Sequence, residues 1–236
     1  MRLPTILHAL AGAAALAACN EEPHAPFAPP AQVGWLRFVH ASPDTVNAKT
    51  VNVRIDGVPL AANLAYKGVA GYALAVAGDR LLSVRKSADT SVVLFDQSVT
   101  VTTGRSITVF ATGIGTDVAA LVLPDEDGIP INGAIRVLNA SPTMGPADVY
   151  ITDPGADLST ATPVASNLAF RAISGTAFLS GGQVRFTTPG TTTVVLTGPT
   201  LTLTSGQIRT VVALDAPGGG TPLTTATLVD RSVVGR

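Results

Sequence analysis

A seven-residue phrase written twice constrains this chain more than any other feature. Arg37-Phe-Val-His-Ala-Ser-Pro43 recurs as Arg136-Val-Leu-Asn-Ala-Ser-Pro142. The order of later phrases is kept too. Asn63-Leu-Ala-Tyr-Lys67 returns as Asn167-Leu-Ala-Phe-Arg171, Thr103-Gly104-Arg105 as Ser205-Gly206-Gln207, and Leu121-Val122 aligns with Leu228-Val229. The offsets are 99, 104, 102 and 107 residues, a drift that small insertions near Pro154 to Thr162 and at Gly218-Gly219-Gly220 account for. The chain therefore reads as two copies of one module of about 100 residues.

Within each copy apolar residues alternate over short stretches bounded by Gly, Pro, Asp and Asn, the pattern of strands. Ser98-Val-Thr-Val-Thr102 and Thr200-Leu-Thr-Leu-Thr204 show it most clearly, placing Val99 and Val101, or Leu201 and Leu203, on a core face. Further strands are expected near 35–41, 51–56, 71–76, 81–86, 92–95, 106–111 and 119–123. The expected fold class is all-β, two tandem immunoglobulin-like β-sandwich domains, here without a disulfide because the chain has one cysteine. A hydrophobic content of 46% with 13% charged residues supports packed cores rather than disorder.

The first 18 residues carry Arg2, then an apolar run from Leu3 to Leu16, then small residues, which is the layout of an export signal. The run is shorter than the roughly 20 apolar residues a membrane-spanning helix needs. Leu16-Ala17-Ala18-Cys19 resembles the lipobox of bacterial lipoproteins, and that resemblance implies cleavage before Cys19 and its lipidation. Asn20 after the cysteine favours the outer membrane by analogy with lipoprotein sorting. Residues 20–32, NEEPHAPFAPPAQ, read as a Pro/Ala-rich tether that could extend about 40 Å at 3.1 Å per residue. The expected division is signal peptide 1–18, lipid-anchored tether 19–33, first module 34–127 and second module 128–236.

The pattern R-h-x-[HN]-A-S-P, then Val53-Arg54-Ile55-Asp56-Gly57, N-L-x-[YF], a Gly-Tyr or Gly-Thr pair and x-T-G-x resembles bacterial domain of unknown function 4397, twice in tandem. The resemblance implies an extracytoplasmic protein and brings no established chemistry. Copy two departs from it at Asn139, Thr143 and Thr152-Asp153-Pro154-Gly155.

Any catalytic proposal would have to begin with His40. His40, Ser42 and Asp44 stand too close together to form a hydrolase triad, whose members converge from separate parts of a fold. The exchange of His40 for Asn139 suits hydrogen bonding, because an amide cannot transfer a proton. His40, Ser42 and Pro43, with Asn139, Ser141 and Pro142, are accordingly read as a structural turn motif.

Asp125-Glu126-Asp127-Gly128 looks like part of a calcium loop without its remaining ligands, and reads by default as a solvated interdomain hinge. Gly218-Gly219-Gly220 reads as a loose hairpin tip. Tyr66-Lys67 and Phe170-Arg171 repeat an aromatic-basic pair that could form a ligand-facing edge or a cation–π contact; the expected arrangement buries the ring and points the cation to water. No cofactor or metal site is expected. Without Arg2, 14 basic residues face 16 acidic ones, so nothing suits nucleic acid.

The function expected is a non-enzymatic, lipid-anchored envelope scaffold or binding module. Its partners would be the membrane, through acylated Cys19, and an envelope or extracellular protein or glycan. The alternative is an extracytoplasmic hydrolase using His40 with acids brought near by folding.

Overall fold

The computed structural model describes residues 31–126 and 128–231. Cys19, the leader and most of the tether lie outside these residues, as does Asp127. The first module contains β1 (Val33–His40), β2 (Thr50–Ile55), β3 (Val58–Ala65), β4 (Val69–Val76), β5 (Gly78–Lys86), β6 (Val93–Val101), β7 (Ser106–Thr112) and β8 (Ala119–Pro124). The second contains β9 (Ala134–Asn139), β10 (Ala147–Thr152), β11 (Ala165–Leu168), β12 (Ala177–Phe178), β13 (Gly181–Thr187), β14 (Val194–Thr202), β15 (Ile208–Leu214) and β16 (Thr224–Asp230). Two short 3-10 turns, Gly115–Asp117 and Leu158–Thr160, are the helical segments among the described residues.

Each module is a β-sandwich of two four-stranded sheets. In the first, β4-β1-β7-β8 faces β3-β2-β5-β6; in the second, β12-β9-β15-β16 faces β11-β10-β13-β14. The repeat extends to hydrogen-bond direction, since β1 pairs in parallel with β7 and β9 in parallel with β15. Each sandwich closes on its own core. Leu36, Phe38, Val51, Val53, Leu82 and Val109 pack together in the first, and Ile135, Val137, Val149, Val184, Phe186 and Val211 in the second.

Val99 and Val101 are buried on the core face, as the alternation predicts, and Leu203 with them, while Leu201 is partly buried against the second core. The segments read separately as 92–95 and 98–102 are one strand, β6. β3 escapes the pattern because it is an edge strand whose residues are all exposed or half-exposed, with register shifts against β2. Leu60, Ala61 and Leu64 lean on the first core without a period of two, because the register shifts interrupt the alternation.

The strands that carry the repeated septet are buried on both sides. Along β1, Leu36 and Phe38 face their own core, whereas Val39, with Ala41 just beyond the strand, faces the second module. Phe110 of β7 does the same, and Leu138, Val212, Leu214 and Leu228 meet them from the other side. A sheet covered on both faces buries both sides of its middle strands, as it does all seven residues of Ser-Ile-Thr-Val-Phe-Ala-Thr in β7. The result is four sheets in layers with three apolar seams, and the described residues from Ala31 onward form one compact unit. The solvated hinge expected at Asp125 is therefore not what the structure contains.

Candidate functional site

At the middle seam each module contributes an arginine, a threonine and an aspartate. Arg37 and Arg136 come from β1 and β9, Thr108 and Thr210 from β7 and β15, and Asp125 and Asp230 from the ends of β8 and β16. All six are buried. The arrangement has approximate two-fold symmetry: Arg37 Nη1 donates to Val229 O at 2.9 Å, and Arg136 Nη1 to Pro124 O at 2.9 Å. Each arginine thus reaches into the other module.

The carboxylates are served unequally. Asp230 lies 2.6 Å from Arg37 and 3.1 Å from Arg136 and accepts from Thr210 at 2.5 Å. Asp125 stands 3.5 Å from Arg136 and 3.8 Å from Arg37, and accepts from Thr108 and Tyr72 hydroxyls. Burial pushes the Asp125 carboxyl up from its ordinary value, against the pull of Tyr72, Arg37 and Thr108. Burial also raises the Tyr72 hydroxyl, so it remains a donor. The Arg37 guanidinium lies 4.6 Å above the Tyr72 ring. Glu126, next to Asp125, accepts from Thr176. These acids are occupied by arginines and hydroxyls, and no group of three or more potential metal ligands occurs among the described residues.

The repeated septet ends in two buried corners. His40 is fully buried; its Nε2 donates to Ala48 O at 2.5 Å, and Nδ1 has no hydrogen-bond partner. Burial lowers its basicity, opposed by the Ala48 bond, so the ring stays neutral. Asn139 donates to Gly145 O at 2.9 Å and Leu168 O at 3.1 Å, and accepts from Ser141 N at 3.1 Å. Ser42 donates to Gly113 O at 2.6 Å, while Ser141 donates to the Asp215 carboxylate. Pro43 is buried, and its carbonyl accepts from Gly218 N at 2.6 Å; Pro142 is half-buried. The glycine run is thus not a loose tip, because it also closes on itself through Gly220 N and Asp215.

Asp44 organises the turn after the first corner. Burial disfavours its charge, but N–H groups of Asn47 and Gly115 bind the carboxylate and hold it below its usual value.

The phrase N-L-A-[YF]-[KR] fixes the chain against these corners. Asn63 and Asn167 take φ of 52° and 53°, a conformation asparagine tolerates better than most residues. Asn52 receives the Asn63 N–H at 2.9 Å, and Asp148 that of Asn167 at 2.7 Å. Lys67 N then donates to His40 O and Arg171 N to Asn139 O, both at 2.7 Å. The side chains also cross the seam. Tyr66 donates to Asp215 O at 2.7 Å, and Arg171 reaches Thr112 Oγ1 at 2.9 Å and Asp117 O at 2.6 Å. Lys67 is exposed, yet its Nζ lies 5.5 Å from the Tyr66 ring centroid, and the Arg171 guanidinium lies 4.7 Å from that of Phe170, so both pairs make the cation–π contact rather than sending the cation wholly to water.

The outermost sheets differ. On the solvent side of the first module, Asn52 and Arg54 of β2 stand opposite Arg85 and Ser83 of β5. With Thr90 they line a polar groove of about 280 Å³. In the second module the matching residues Asp148, Tyr150, Arg185 and Thr187 are all buried. Asp56-Gly57 turns β2 into β3, whereas residues 153–164 connect β10 to β11 and carry the buried Leu158. Gly190 N also closes on Asp148 at 2.7 Å. The face left open in the first module is thus covered in the second, where the Gly190 loop closes on Asp148.

A tandem pair of β-sandwiches, joined face to face through a two-fold-like Arg/Thr/Asp cluster, defines the class of this protein. It belongs to the DUF4397 family, domain of unknown function, whose model matches residues 34–149 and again 133–234. Comparison with the curated proteins finds no match. Among solved structures, the chain is similar to a leucine-rich repeat protein from Bacteroides thetaiotaomicron at 12% identity and a TM-score of 0.22, covering 80% of this chain and 27% of that one. It is also similar to CBMbc, a family CBM26 module of Eubacterium rectale Amy13K in complex with maltoheptaose, at 10% identity and a TM-score of 0.26, covering 84% and 97%.

The Asp125/Asp230 pair was hidden from the sequence by a two-residue slip. Strand pairing sets Leu123 opposite Thr108 and Leu228 opposite Thr210, so Leu123-Pro124-Asp125 matches Leu228-Val229-Asp230 rather than Leu121-Val122 matching Leu228-Val229. An alignment requiring an acid at the end of both last strands would have found it.

Proposed function

We propose that this is a lipid-anchored, non-enzymatic protein of the cell envelope, exported and held through acylated Cys19, most simply in a bacterial outer membrane. Its tandem sandwiches serve as a scaffold that binds a protein or glycan outside the cytoplasm. The observation that carries the binding role is the contrast between the two outer sheets: polar side chains are buried at the seam and in the second module, but left open in the groove of the first. The lipobox-like tetrad supports the anchor. The alternative, a hydrolase built on His40, draws no support from a ring that is fully buried with Nε2 already bonded to Ala48 O.

Fractionation of cells expressing the native chain and Cys19→Ala tests the anchor, with protease added to intact cells to locate the modules. Membrane retention of the native chain and its loss in the variant is the expected result. Equal partitioning of both would sink the anchored reading.

A further inference from the structure

We infer that the groove on the outer sheet of the first module binds the carboxylate-bearing sugar units of an acidic polysaccharide, with Arg54 and Arg85 taking the carboxylate and Ser83, Asn52 and Thr90 taking hydroxyls. This deepens the binding reading above and rests on it. The groove lies on the two middle strands of its sheet, β2 and β5, so it can be built neither from an edge nor from backbone groups. A peptide that binds by strand addition needs an edge. An acidic peptide would meet the two arginines but brings no hydroxyls to Ser83, Asn52 and Thr90, and all five lining residues are polar. Its volume of about 280 Å³ sits at the small end of ligand sites, suited to one sugar unit at a time along a chain.

The donors are in place and under-used. Arg54 has one bond, from Nη1 to Gly57 O at 2.8 Å, which leaves the rest of its planar fork for a carboxylate. Arg85 has a loose pair with Asp96 at 3.9 Å, and both side chains are about one-third or more exposed. Ser83 Oγ is shielded from solvent yet has no hydrogen-bond partner among the described residues. A hydroxyl in that state costs stability unless something else bonds it, and a sugar hydroxyl offers both donor and acceptor. Asn52 Oδ1 accepts from Asn63 N and Ser87 Oγ, so the groove side chain is held by its oxygen and its NH2 group is the donor left for a ligand. Asp96 lies across from Ser83 on β6 and competes for Arg85.

The test is calorimetry on the full mature chain with a galacturonate oligosaccharide, its methyl ester, and an oligoglutamate of equal charge. The inference expects the free acid to bind, and the ester and peptide to bind about tenfold or more weakly. Arg54→Gln and Arg85→Gln should each weaken binding by about tenfold with melting temperature unchanged, and Asp96→Asn should strengthen it severalfold by freeing Arg85. No binding of the free acid, oligoglutamate binding as tightly, or undiminished binding by both arginine variants would overturn it. The fractionation experiment does not involve these residues, so the anchored scaffold and its ligand class fall separately.

Discussion

Module one closes its Ala-Ser-Pro corner with a histidine and a backbone carbonyl, while module two closes the matching corner with an amide and a carboxylate. His40 makes one bond where Asn139 makes three, and Ser42 binds Gly113 O where Ser141 binds the Asp215 side chain. At residue 113 a side chain is excluded. The glycine has φ of 93°, and a Cβ would stand 2.3 Å from Asp117 O and 2.8 Å from an Arg171 Nη2. The first module's own Asp117 carbonyl stands closest in that space, with the second module's Arg171 beside it. Equivalent positions thus differ because each corner is closed by groups of its own module.

The same comparison ranks the forces at the seam. Val39, Phe110, Leu138, Val212, Leu214 and Leu228 each contribute about 1.5–3 kcal/mol on full burial, so the apolar contacts drive association. A buried ion cluster breaks even at best against its desolvation, but losing one member leaves the others uncompensated. We therefore assign the Arg/Asp cluster to fixing which way the sheets stack.

The largest effect is expected at that cluster. Asp230→Ala leaves both arginines facing Asp125 alone and should lower stability by about 3–5 kcal/mol in urea unfolding. Asp125→Ala should cost clearly less, because its guanidinium contacts are 3.5 and 3.8 Å long. Equal losses would break the asymmetry drawn between the halves.

Exchanging the corner residues sharpens the comparison. Asn139→His gives up bonds to Gly145, Leu168 and Ser141 and should cost about 2–3 kcal/mol, at roughly 1 kcal/mol for each net bond. The reverse, His40→Asn, should cost about 1 kcal/mol, since one bond to Ala48 is at stake. A larger loss from the histidine would mean that its burial does more than its bonding. Tyr66→Phe removes the hydroxyl on Asp215 O across the seam, for about 0.5–1.5 kcal/mol.

The smallest effect is in pH. His40 has a lowered pKa in the fold, so on acidification the unfolded chain takes up a proton first and the stabilising contribution is lost as pH falls below 6.5. Melting temperature should drop from pH 7.5 to 5.5 in the native protein, and His40→Asn should flatten that slope. The buried Asp125, whose carboxyl is raised, acts in the opposite direction: its contribution is lost as pH rises above the ordinary carboxylate range.

Much of this architecture was legible. The repeat set the module count, and Val99, Val101 and Leu203 marked core faces by period alone. β3 was not legible, because its residues are at most half-buried and its register shifts break the period by which Leu60, Ala61 and Leu64 would have marked a core face. The seam was not either: the strands at 35–41 and 106–111 were expected, but sequence cannot say which of two cores Val39 and Phe110 on a doubly buried strand serve. Insertions displaced Asp230 from its partner in the alignment, and an Asp-rich stretch looked solvated when Asp125 was to be paired from the other half of the chain. Nor did the groove announce itself, since Asn52, Arg54, Ser83 and Arg85 come together only through the pairing of β2 with β5.

The central claim is that the two sandwiches unfold as one body held at the seam. Native-state hydrogen exchange on the native chain and on Asp230→Ala tests it directly, read at the amides of Val109 in β7 and Val211 in β15. The account predicts that both amides exchange with the same free energy and that the substitution lowers both by the same amount. A loss confined to Val211, with Val109 unchanged, would contradict it and leave two independent modules on one chain.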